Sequence, residues 1–321
     1  MFCVFLVGIM QENGDAAFQK IMINRVFEHP KVRFESAIPQ VFIAIDPNGG
    51  GDSRFAICSC FYRRGKMIIA GLDAVKSKKP AEYEPVLYEH IMAFRRHKNT
   101  SGARVVIMVE NNLGFESYHI ERFINKSNAR KFCCFLTDKE QKVGLRTTNP
   151  IKESMWHKFK TFLEEDAVCV WEDMISVNPN TKPKDMLKQL REELNNYKVM
   201  IELPKTVFQE TKRTFTGKLG GSIDDLSVTC QLNALCKYLV LNICFNYSLT
   251  VLFYCFIVLL FLKTGHTQVH NLYSYTVSSL RQIITNTIVL SNQGVLWSQV
   301  LGLSLRLYKN NLKKQFKKTI L

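Results

Sequence analysis

The alternation of hydrophobic and polar positions predicts an α/β protein. The run Val41–Asp46 is apolar and rich in β-branched residues, and it ends in one carboxylate before a Pro-Asn-Gly-Gly-Gly turn. Such a run is typical of a buried strand. Later segments with helical periodicity predict helices between further apolar runs. The pattern therefore predicts the element order β-β-β-α-β-α-β, followed by a more helical part.

The predicted elements can be given residue by residue. The predicted strands are residues 41–46, 54–63, 66–74, 104–110 and 131–136, with shorter candidates at 167–171 and 199–203. The predicted helices are residues 16–27, 82–97, 115–126, 151–164 and 184–197, and one more begins near Asp224. An Arg64–Gly65 turn joins the second and third strands, which predicts an antiparallel meander. Residues 212–221 are predicted as a loop.

Acidic residues end two of the predicted strands and open one helix. Asp46 ends the first strand, Glu110 ends the run RVVIMVE, and Asp224 and Asp225 precede an apolar helical segment. Acids at strand ends and at a helix start can converge at one edge of a sheet. Adjacent carboxylates repel one another unless a cation neutralises them, so such a cluster indicates a divalent metal site.

Charge is distributed unevenly along the 321 residues. The net charge is +15, but the first 236 residues hold 34 of the 43 basic residues and all 28 acidic ones, a net charge of +6. A mildly basic globular part fits phosphate contacts beside an acidic site. The ten cysteines form no CxxC pair with a matching second pair, which argues against a zinc ribbon. Cysteines used as small apolar residues suggest the cytosol or the nucleus.

The C-terminal part has a different character. Leu239–Leu262 contains no charged residue and is bounded by Lys237 and Lys263, a length that suits a membrane-spanning helix. Asn242, Asn246 and Ser248 weaken that interpretation. The alternatives are a lineage-specific extension or an extension that arises from an incorrect gene structure, and these two are preferred.

The predicted acids have the composition of a two-metal site that hydrolyses a phosphodiester. Two divalent ions about 4 Å apart can hold the attacking water and the leaving oxygen of a phosphodiester. Mg²⁺ or Mn²⁺ then requires a few carboxylates at one sheet edge. We expect Asp46 to bridge two ions because it lies on the central strand, with Glu110 at the end of the neighbouring strand. Of the helical pair, Asp225 is favoured over Asp224 as the direct ligand.

The strand order and acids resemble those of the ribonuclease H-like nuclease fold. The segments IDPNGGG, the run ending in VENN and TFTGKLGGSIDDLSVTCQLNALC are similar to the C-terminal nuclease domain of the herpesvirus-type terminase large subunit, the motor that packages and cuts viral DNA. The resemblance covers about Val41 to Tyr238. It implies a mixed sheet with a three-strand meander and parallel strands, flanked by helices. It also implies metal ligands at Asp46, Glu110 and the pair Asp224 and Asp225.

The resemblance carries further expectations about function. It implies a two-metal endonuclease that cuts concatemeric viral DNA during packaging, with Mg²⁺ or Mn²⁺ as cofactor. The expected partners are double-stranded DNA, other terminase subunits and a portal, and the expected location is the nucleus, the host's if the chain is viral.

The chain departs from that family at both ends. No GxxxxGK[ST] motif occurs, so an ATPase is absent here or encoded elsewhere. The expected division is therefore a lead at 1–40, interpreted as a remnant of a linker to the ATPase, a nuclease domain at 41–238, and an atypical tail at 239–321. The alternatives to an active nuclease are an inactive or domesticated DNA-binding protein and a membrane-anchored protein of unknown role.

Basic residues near the acids are candidates for contacts with DNA phosphates. Lys212, Arg213 and Lys218 flank the acidic helix, and Arg146 and Lys152 lie in GLRTTNPIK, where a helix begins. The alternative for each is a solvated surface charge. The histidines are scattered, and the sequence predicts no Ser/His/Asp arrangement.

Overall fold

The computed structural model describes residues 15–47, 53–77, 79–112, 116–138, 142–202, 212–218 and 223–239. The chain divides into two compact units, Met1–Lys237 and Tyr238–Leu321, and the second contributes only residues 238 and 239 to the described part. The predicted membrane-spanning stretch lies outside the described residues apart from Leu239. Within the described ranges, every helix falls short of the length and apolarity that a bilayer crossing requires. The three-part division of the chain stays a prediction.

The elements follow one another in this order: β1 (Asp15–Ala16), α1 (Lys20–Glu28), β2 (Gln40–Asp46), β3 (Phe55–Arg63), β4 (Lys66–Val75), α2 (Pro80–Arg96), β5 (Arg104–Val109), α3 (Glu116–Lys126), β6 (Cys133–Phe135), α4 (Asn149–Glu164), β7 (Val168–Ile175), α5 (Pro183–Asn196), β8 (Lys198–Glu202), β9 (Lys212–Thr216) and α6 (residues 225–239). A short 3-10 helix, Asn128–Lys131, precedes β6.

A six-stranded mixed sheet forms the centre of the first unit. Its strands lie in the order β6-β5-β2-β3-β4-β7. β2, β3 and β4 form the antiparallel meander, whereas β5 is parallel to β2, β6 to β5 and β7 to β4. This arrangement confirms the predicted ribonuclease H-like fold. β7 is an addition at the β4 edge, and it runs to Ile175 where the sequence predicted an end at Trp171.

A second, three-stranded sheet has the order β1-β8-β9. The prediction of a loop over residues 212–221 was wrong for its first five residues. Residues Lys212–Thr216 form β9, which pairs antiparallel with β8 from Glu202↔Lys212 to Lys198↔Thr216. The sequence KRTFT has one apolar residue and no apolar run, so only the pairing with β8 makes it a strand.

The sheet is buried on both of its faces around the meander. Val41, Ile43 and Ile45 of β2 join a cluster that includes Leu87 and Ile91 of α2. Strands covered on both faces are apolar throughout instead of alternating, which explains the continuous run in β2. The hairpin between β3 and β4 turns at Arg64 (φ 49°) and Gly65 (φ 80°). Two consecutive positive φ values form the hairpin turn that suits strand twist, and the predicted turn is confirmed.

Helix α6 is buried over its whole circumference between Leu226 and Cys236. It contacts β3 through Asn233. The side-chain Nδ2 of Asn233 donates to the backbone carbonyl of Cys58 (2.8 Å), and the backbone carbonyl of Asn233 accepts from the Tyr62 hydroxyl (2.7 Å). These two bonds join the middle of α6 to β3.

Candidate active site

Two of the predicted acids leave the sheet side by side. Asp46 is the last residue of β2, and Glu110 follows β5 directly. The parallel register pairs Ile45 with Val109, and the Glu110 N–H donates to the Ile45 carbonyl (2.8 Å). Because the strands are parallel, both carboxylates lie at the same edge of the sheet. The sequence prediction that strand-end acids converge thus fits this pair.

The carboxyl group of Asp46 is strongly perturbed. Burial raises its pKa well above the ordinary value, and the charge of Glu110, a hydrogen bond with Glu110 and the charge of Asp225 raise it further. Neighbouring carboxylates disfavour one another's ionised form unless a proton or a cation neutralises them. The charges of Glu110 and Asp225 therefore disfavour the ionised form of Asp46.

Glu110 is buried and held by two side chains that the sequence analysis did not single out. Asn112 Nδ2 donates to Glu110 Oε1 (2.8 Å), and the Thr147 hydroxyl donates to the same oxygen. The Thr147 N–H in turn donates to Asn112 Oδ1 (3.0 Å). An isolated β-bridge between Glu110 and Leu145 brings the two segments together. Two polar runs, VENN and RTTN, were the available signal in the sequence.

Helix α6 contributes the other two acids, and each contacts a different neighbour. Asp225 Oδ2 accepts a hydrogen bond from the Arg54 N–H (2.6 Å), and Asp224 Oδ2 accepts one from the Gly217 N–H (2.8 Å). Burial is the largest cause of a raised pKa at Asp225. Of the pair, Asp225 is the member whose charge raises the pKa of Asp46, after the larger effects of burial and of Glu110. The choice of Asp225 as the direct metal ligand stays a prediction.

Lys218 faces the acids. Its Nζ lies 3.6 Å from Asp224 Oδ1 and 3.8 Å from Asp225 Oδ1, and it donates to Ser53 Oγ (2.8 Å). Burial alone would lower the pKa of Lys218, but the charges of Asp224, Asp225, Asp46 and Glu110 raise it. The charges of all four predicted acids therefore act on this one ammonium group.

The carboxylate oxygens are of the type that binds a hard divalent cation, although the spacing of the described side chains does not form a complete cation site. Asp224 Oδ1 and Asp225 Oδ1 are buried oxygens without a hydrogen-bond partner. Carboxylate oxygens are the ligands that Mg²⁺ prefers and that Mn²⁺ also accepts. Among the described residues, however, no three His, Cys, Asp or Glu side chains stand close enough together to form a preassembled metal site.

The remaining predicted basic residues lie around the site in different settings. Arg213 forms an exposed ion pair with Glu153 (2.7 Å). Arg146 is exposed, Lys152 lies in the first turn of α4, and Lys212 begins β9. Their contacts with DNA stay predictions.

A Ser/His/Asp arrangement is present, although the sequence analysis predicted none. The Ser59 hydroxyl lies 2.6 Å from His90 Nε2, and His90 Nδ1 lies 2.6 Å from Asp73 Oδ2. Asp73 Oδ1 also accepts from the N–H groups of Val177 (3.0 Å) and Asn178 (2.9 Å), which indicates that His90 donates through Nδ1. All three side chains are fully buried. The arrangement therefore joins β3, β4, α2 and the segment after β7, and it is closed to a substrate.

Comparison with known proteins gives only structural matches. No family model matches the chain, and no curated protein matches it with significant similarity. The chain is similar in structure to the human cytomegalovirus terminase nuclease domain in a Mn-soaked structure, with a TM-score of 0.48 and 13% identity over 67% of this chain and 92% of that one.

Two phage structures are similar at comparable identity. The large terminase nuclease from thermophilic phage G20c with bound magnesium has a TM-score of 0.39 and 13% identity, over 68% of this chain and 96% of that one. The nuclease domain of the large terminase subunit gp2 of bacterial virus Sf6 has a TM-score of 0.43 and 13% identity, over 68% and 98%. The fold assignment for this chain rests on its own strand order and register.

Proposed function

We propose that this protein is a metal-dependent DNA endonuclease of the terminase type, which cuts concatemeric viral DNA during packaging. The observation that carries the proposal is that Asp46 and Glu110 lie side by side at one edge of the sheet, where burial and the charges of Glu110 and Asp225 raise the pKa of Asp46. Carboxyl groups with strongly perturbed pKa values are common at functional sites.

The acids define how a divalent cation would be held. Asp46, Glu110 and Asp225 would supply the ligands, with Asp224 beside them. Two bound ions, Mg²⁺ or Mn²⁺, would supply activation of a water and stabilisation of the leaving oxygen of a phosphodiester.

The surrounding residues orient the carboxylates and balance their negative charge. Asn112 and Thr147 orient the Glu110 carboxylate, and the Arg54 N–H orients that of Asp225. Lys218 balances the negative charge and can meet a DNA phosphate from its half-exposed position. The basic residues Lys212, Arg213, Arg146 and Lys152 would extend the contact with the DNA backbone, and double-stranded DNA is the proposed substrate.

The wider setting follows from the same proposal. An endonuclease of this type would work with other terminase subunits and a portal in the nucleus. No membrane association is needed for this activity.

A non-catalytic DNA-binding protein is the second candidate. The observation in its favour is the ion pairing of Lys218 with both Asp224 and Asp225, together with the lack of a preassembled metal cluster among the described residues. In that case the ammonium group would replace the cation permanently.

One experiment separates the two candidates. The full-length chain is incubated with supercoiled plasmid in Mn²⁺, in Mg²⁺ and in EDTA, beside Asp46→Asn and the control Glu172→Gln, whose side chain on β7 is half-exposed. The proposal requires nicking that depends on the metal, persists in the control and disappears in Asp46→Asn. Salt-sensitive DNA binding without cleavage by the parent would support the second candidate.

A further inference from the structure

Glu193 is a buried carboxylate that the acid cluster does not include. It lies on the face of α5 that also buries Met186 and Leu190, and only 3% of it is exposed. Burial raises its pKa to about 7. A glutamate is rarely this buried unless its oxygens have specific partners, so each of its contacts is informative.

One partner of Glu193 is the first turn of α6. The first N–H groups of a helix have no acceptor within the helix and need one from elsewhere. Asp224 stands at the capping position, but its Oδ2 accepts from Gly217 instead. Glu193 Oε2 accepts from the Ser227 N–H (3.0 Å). The helix that carries Asp225 is therefore capped by a side chain from α5.

The other oxygen of Glu193 begins a chain of hydrogen bonds that returns to Asp225. Gln189 Nε2 donates to Glu193 Oε1 (2.7 Å), and Arg54 Nη1 donates to Gln189 Oε1 (2.7 Å). The backbone N–H of the same arginine donates to Asp225 Oδ2 (2.6 Å). Because Ser227 follows Asp225 on α6, these bonds form a closed ring through α5, the start of β3 and the start of α6.

The ring has a consequence for the acid cluster. It fixes both the backbone at Asp225 and one of its carboxylate oxygens, which leaves Oδ1 as the oxygen without a hydrogen-bond partner. Both oxygens of Glu193 are occupied by donors within the ring, so Glu193 is not itself a free ligand. Groups that orient a ligand in this way commonly change metal affinity when they are replaced.

We infer that Glu193 is a positioning residue that holds Asp225 Oδ1 toward a divalent cation and thereby sets the affinity of the site for that cation. The inference rests on the proposed metal site. It assigns a role in cation binding to α5, an element that contributes no ligand of its own.

The test compares three full-length variants with the parent. In Glu193→Gln one oxygen still accepts from Ser227, but the new amide N–H₂ faces the Gln189 N–H₂ and opens the ring. Gln189→Ala opens the ring from a half-buried position and leaves the Glu193 side chain itself unchanged. Glu192→Gln is the matched control, because this neighbouring acid is exposed. Its ion pair is with Lys188, one turn earlier on the same helix.

Mn²⁺ binding is measured without DNA, by titration calorimetry or by the electron paramagnetic resonance signal of free Mn²⁺, and nicking is then measured against Mn²⁺ concentration. We expect Mn²⁺ affinity to fall about 10-fold or more in Glu193→Gln and in Gln189→Ala, with nicking largely restored at saturating Mn²⁺ and Glu192→Gln unchanged.

The outcomes distinguish this inference from the proposed function. Parental Mn²⁺ affinity in both ring variants, with intact folding by circular dichroism, overturns the inference and leaves the nuclease proposal in place. Weakened Mn²⁺ binding without nicking by any protein supports the inference and overturns the nuclease proposal. A parent that does not bind Mn²⁺ overturns both.

Discussion

The Arg54 N–H donates to Asp225 Oδ2 over 2.6 Å and joins residues that are 171 positions apart in the sequence. This bond fixes the start of α6 to the start of β3, next to the strand that carries Asp46. The geometry of the acid cluster therefore depends on contacts outside the acids, and several of these contacts can be tested separately.

Gly217 is predicted to be required for the position of Asp224. A Cβ at this residue would lie 2.5 Å from Asp224 Cβ and 3.3 Å from Tyr197. Since a Cβ on a packed helix has little freedom to move, Gly217→Ala should displace the loop and break the bond from the Gly217 N–H to Asp224. We expect a loss of about 1–3 kcal/mol in the free energy of unfolding and weaker Mn²⁺ binding.

The control for this substitution is Gly102→Ala, because a Cβ there meets nothing within 4 Å. Urea denaturation of both variants measures the difference. Equal stability and equal Mn²⁺ affinity in the two variants would show that the loop adapts without cost.

Thr147 is predicted to orient Glu110 through its hydroxyl group. Thr147→Val keeps the shape of the side chain but removes the donor, whereas Thr147→Ser keeps the donor. We expect metal-dependent nicking to fall about 10-fold or more in the valine variant and to recover in the serine variant, with a stability loss of about 1 kcal/mol for valine. Initial nicking rates at saturating Mn²⁺ provide the measurement, and equal rates in the two variants would contradict the assignment.

Lys218 is predicted to substitute for a cation when metal is absent. Lys218→Met keeps most of the apolar stem but leaves Asp224 and Asp225 without their ammonium partner. The variant should have a lower melting temperature than the parent in EDTA and a larger rise on addition of Mn²⁺, because the added ion relieves the repulsion among the acids. Thermal melts with and without Mn²⁺ test this, with the exposed Lys188→Met as control. An identical Mn²⁺ response in Lys218→Met and the parent would refute it.

Glu193 is predicted to make stability fall as the pH rises from about 4.5 to about 7. The pKa of Glu193 is raised to about 7 in the folded protein, whereas an unfolded glutamate has a pKa of about 4.3. Between these values the folded state holds a proton that the unfolded state releases, so the free energy of unfolding decreases with rising pH and levels off above pH 7.

The size of the effect is at most roughly 4 kcal/mol, because the two pKa values differ by about 2.7 and each pKa unit corresponds to about 1.4 kcal/mol. Asp225 raises the pKa of Glu193, while Gln189 and the Ser227 N–H oppose that rise. Urea denaturation in EDTA at several pH values should show a smaller slope for Glu193→Gln than for the parent. Parallel curves would mean that Glu193 does not titrate in this range.

The buried Ser/His/Asp arrangement is predicted to stabilise the fold and to have no catalytic role. Its members are Ser59, His90 and Asp73. Ser59→Ala leaves the His90 Nε2 without its partner in a fully buried place, which should cost about 1–3 kcal/mol in the free energy of unfolding. We expect plasmid nicking by the folded variant to match that of the parent, and no labelling of the parent by a serine-directed fluorophosphonate. Labelling of Ser59 would show that the arrangement opens to solvent.

The four acids could be predicted from the sequence because each stands at the end of an apolar run or the start of an apolar helix. Most of the contacts that orient them could not, since Arg54 and Thr147 bind acids that are distant along the chain. The strands of the main sheet were predictable apart from the second half of β7, where the polar residues Glu172 and Asp173 interrupt the apolar run. β9 gave no signal because only its pairing with β8 makes it a strand.

Glu193 had a signal that the sequence analysis did not use. Met186, Leu190 and Glu193 lie at positions i, i+4 and i+7 of α5, so helical periodicity places the glutamate on the apolar stripe. A charge at such a position indicates a buried partner. Glu192, one residue earlier, lies on the exposed side and carries no such information.

Three of the four acids are held by separate hydrogen bonds: Glu110 by Thr147 and Asn112, Asp224 by Gly217, and Asp225 by Arg54. The bonds to Asp224 and Asp225 come from the backbone N–H groups of Gly217 and Arg54, which most substitutions would keep, whereas the bonds to Glu110 come from side chains. In distant copies of this chain, loss of Thr147 or Asn112 would therefore change the orientation of Glu110 even where all four acids are retained.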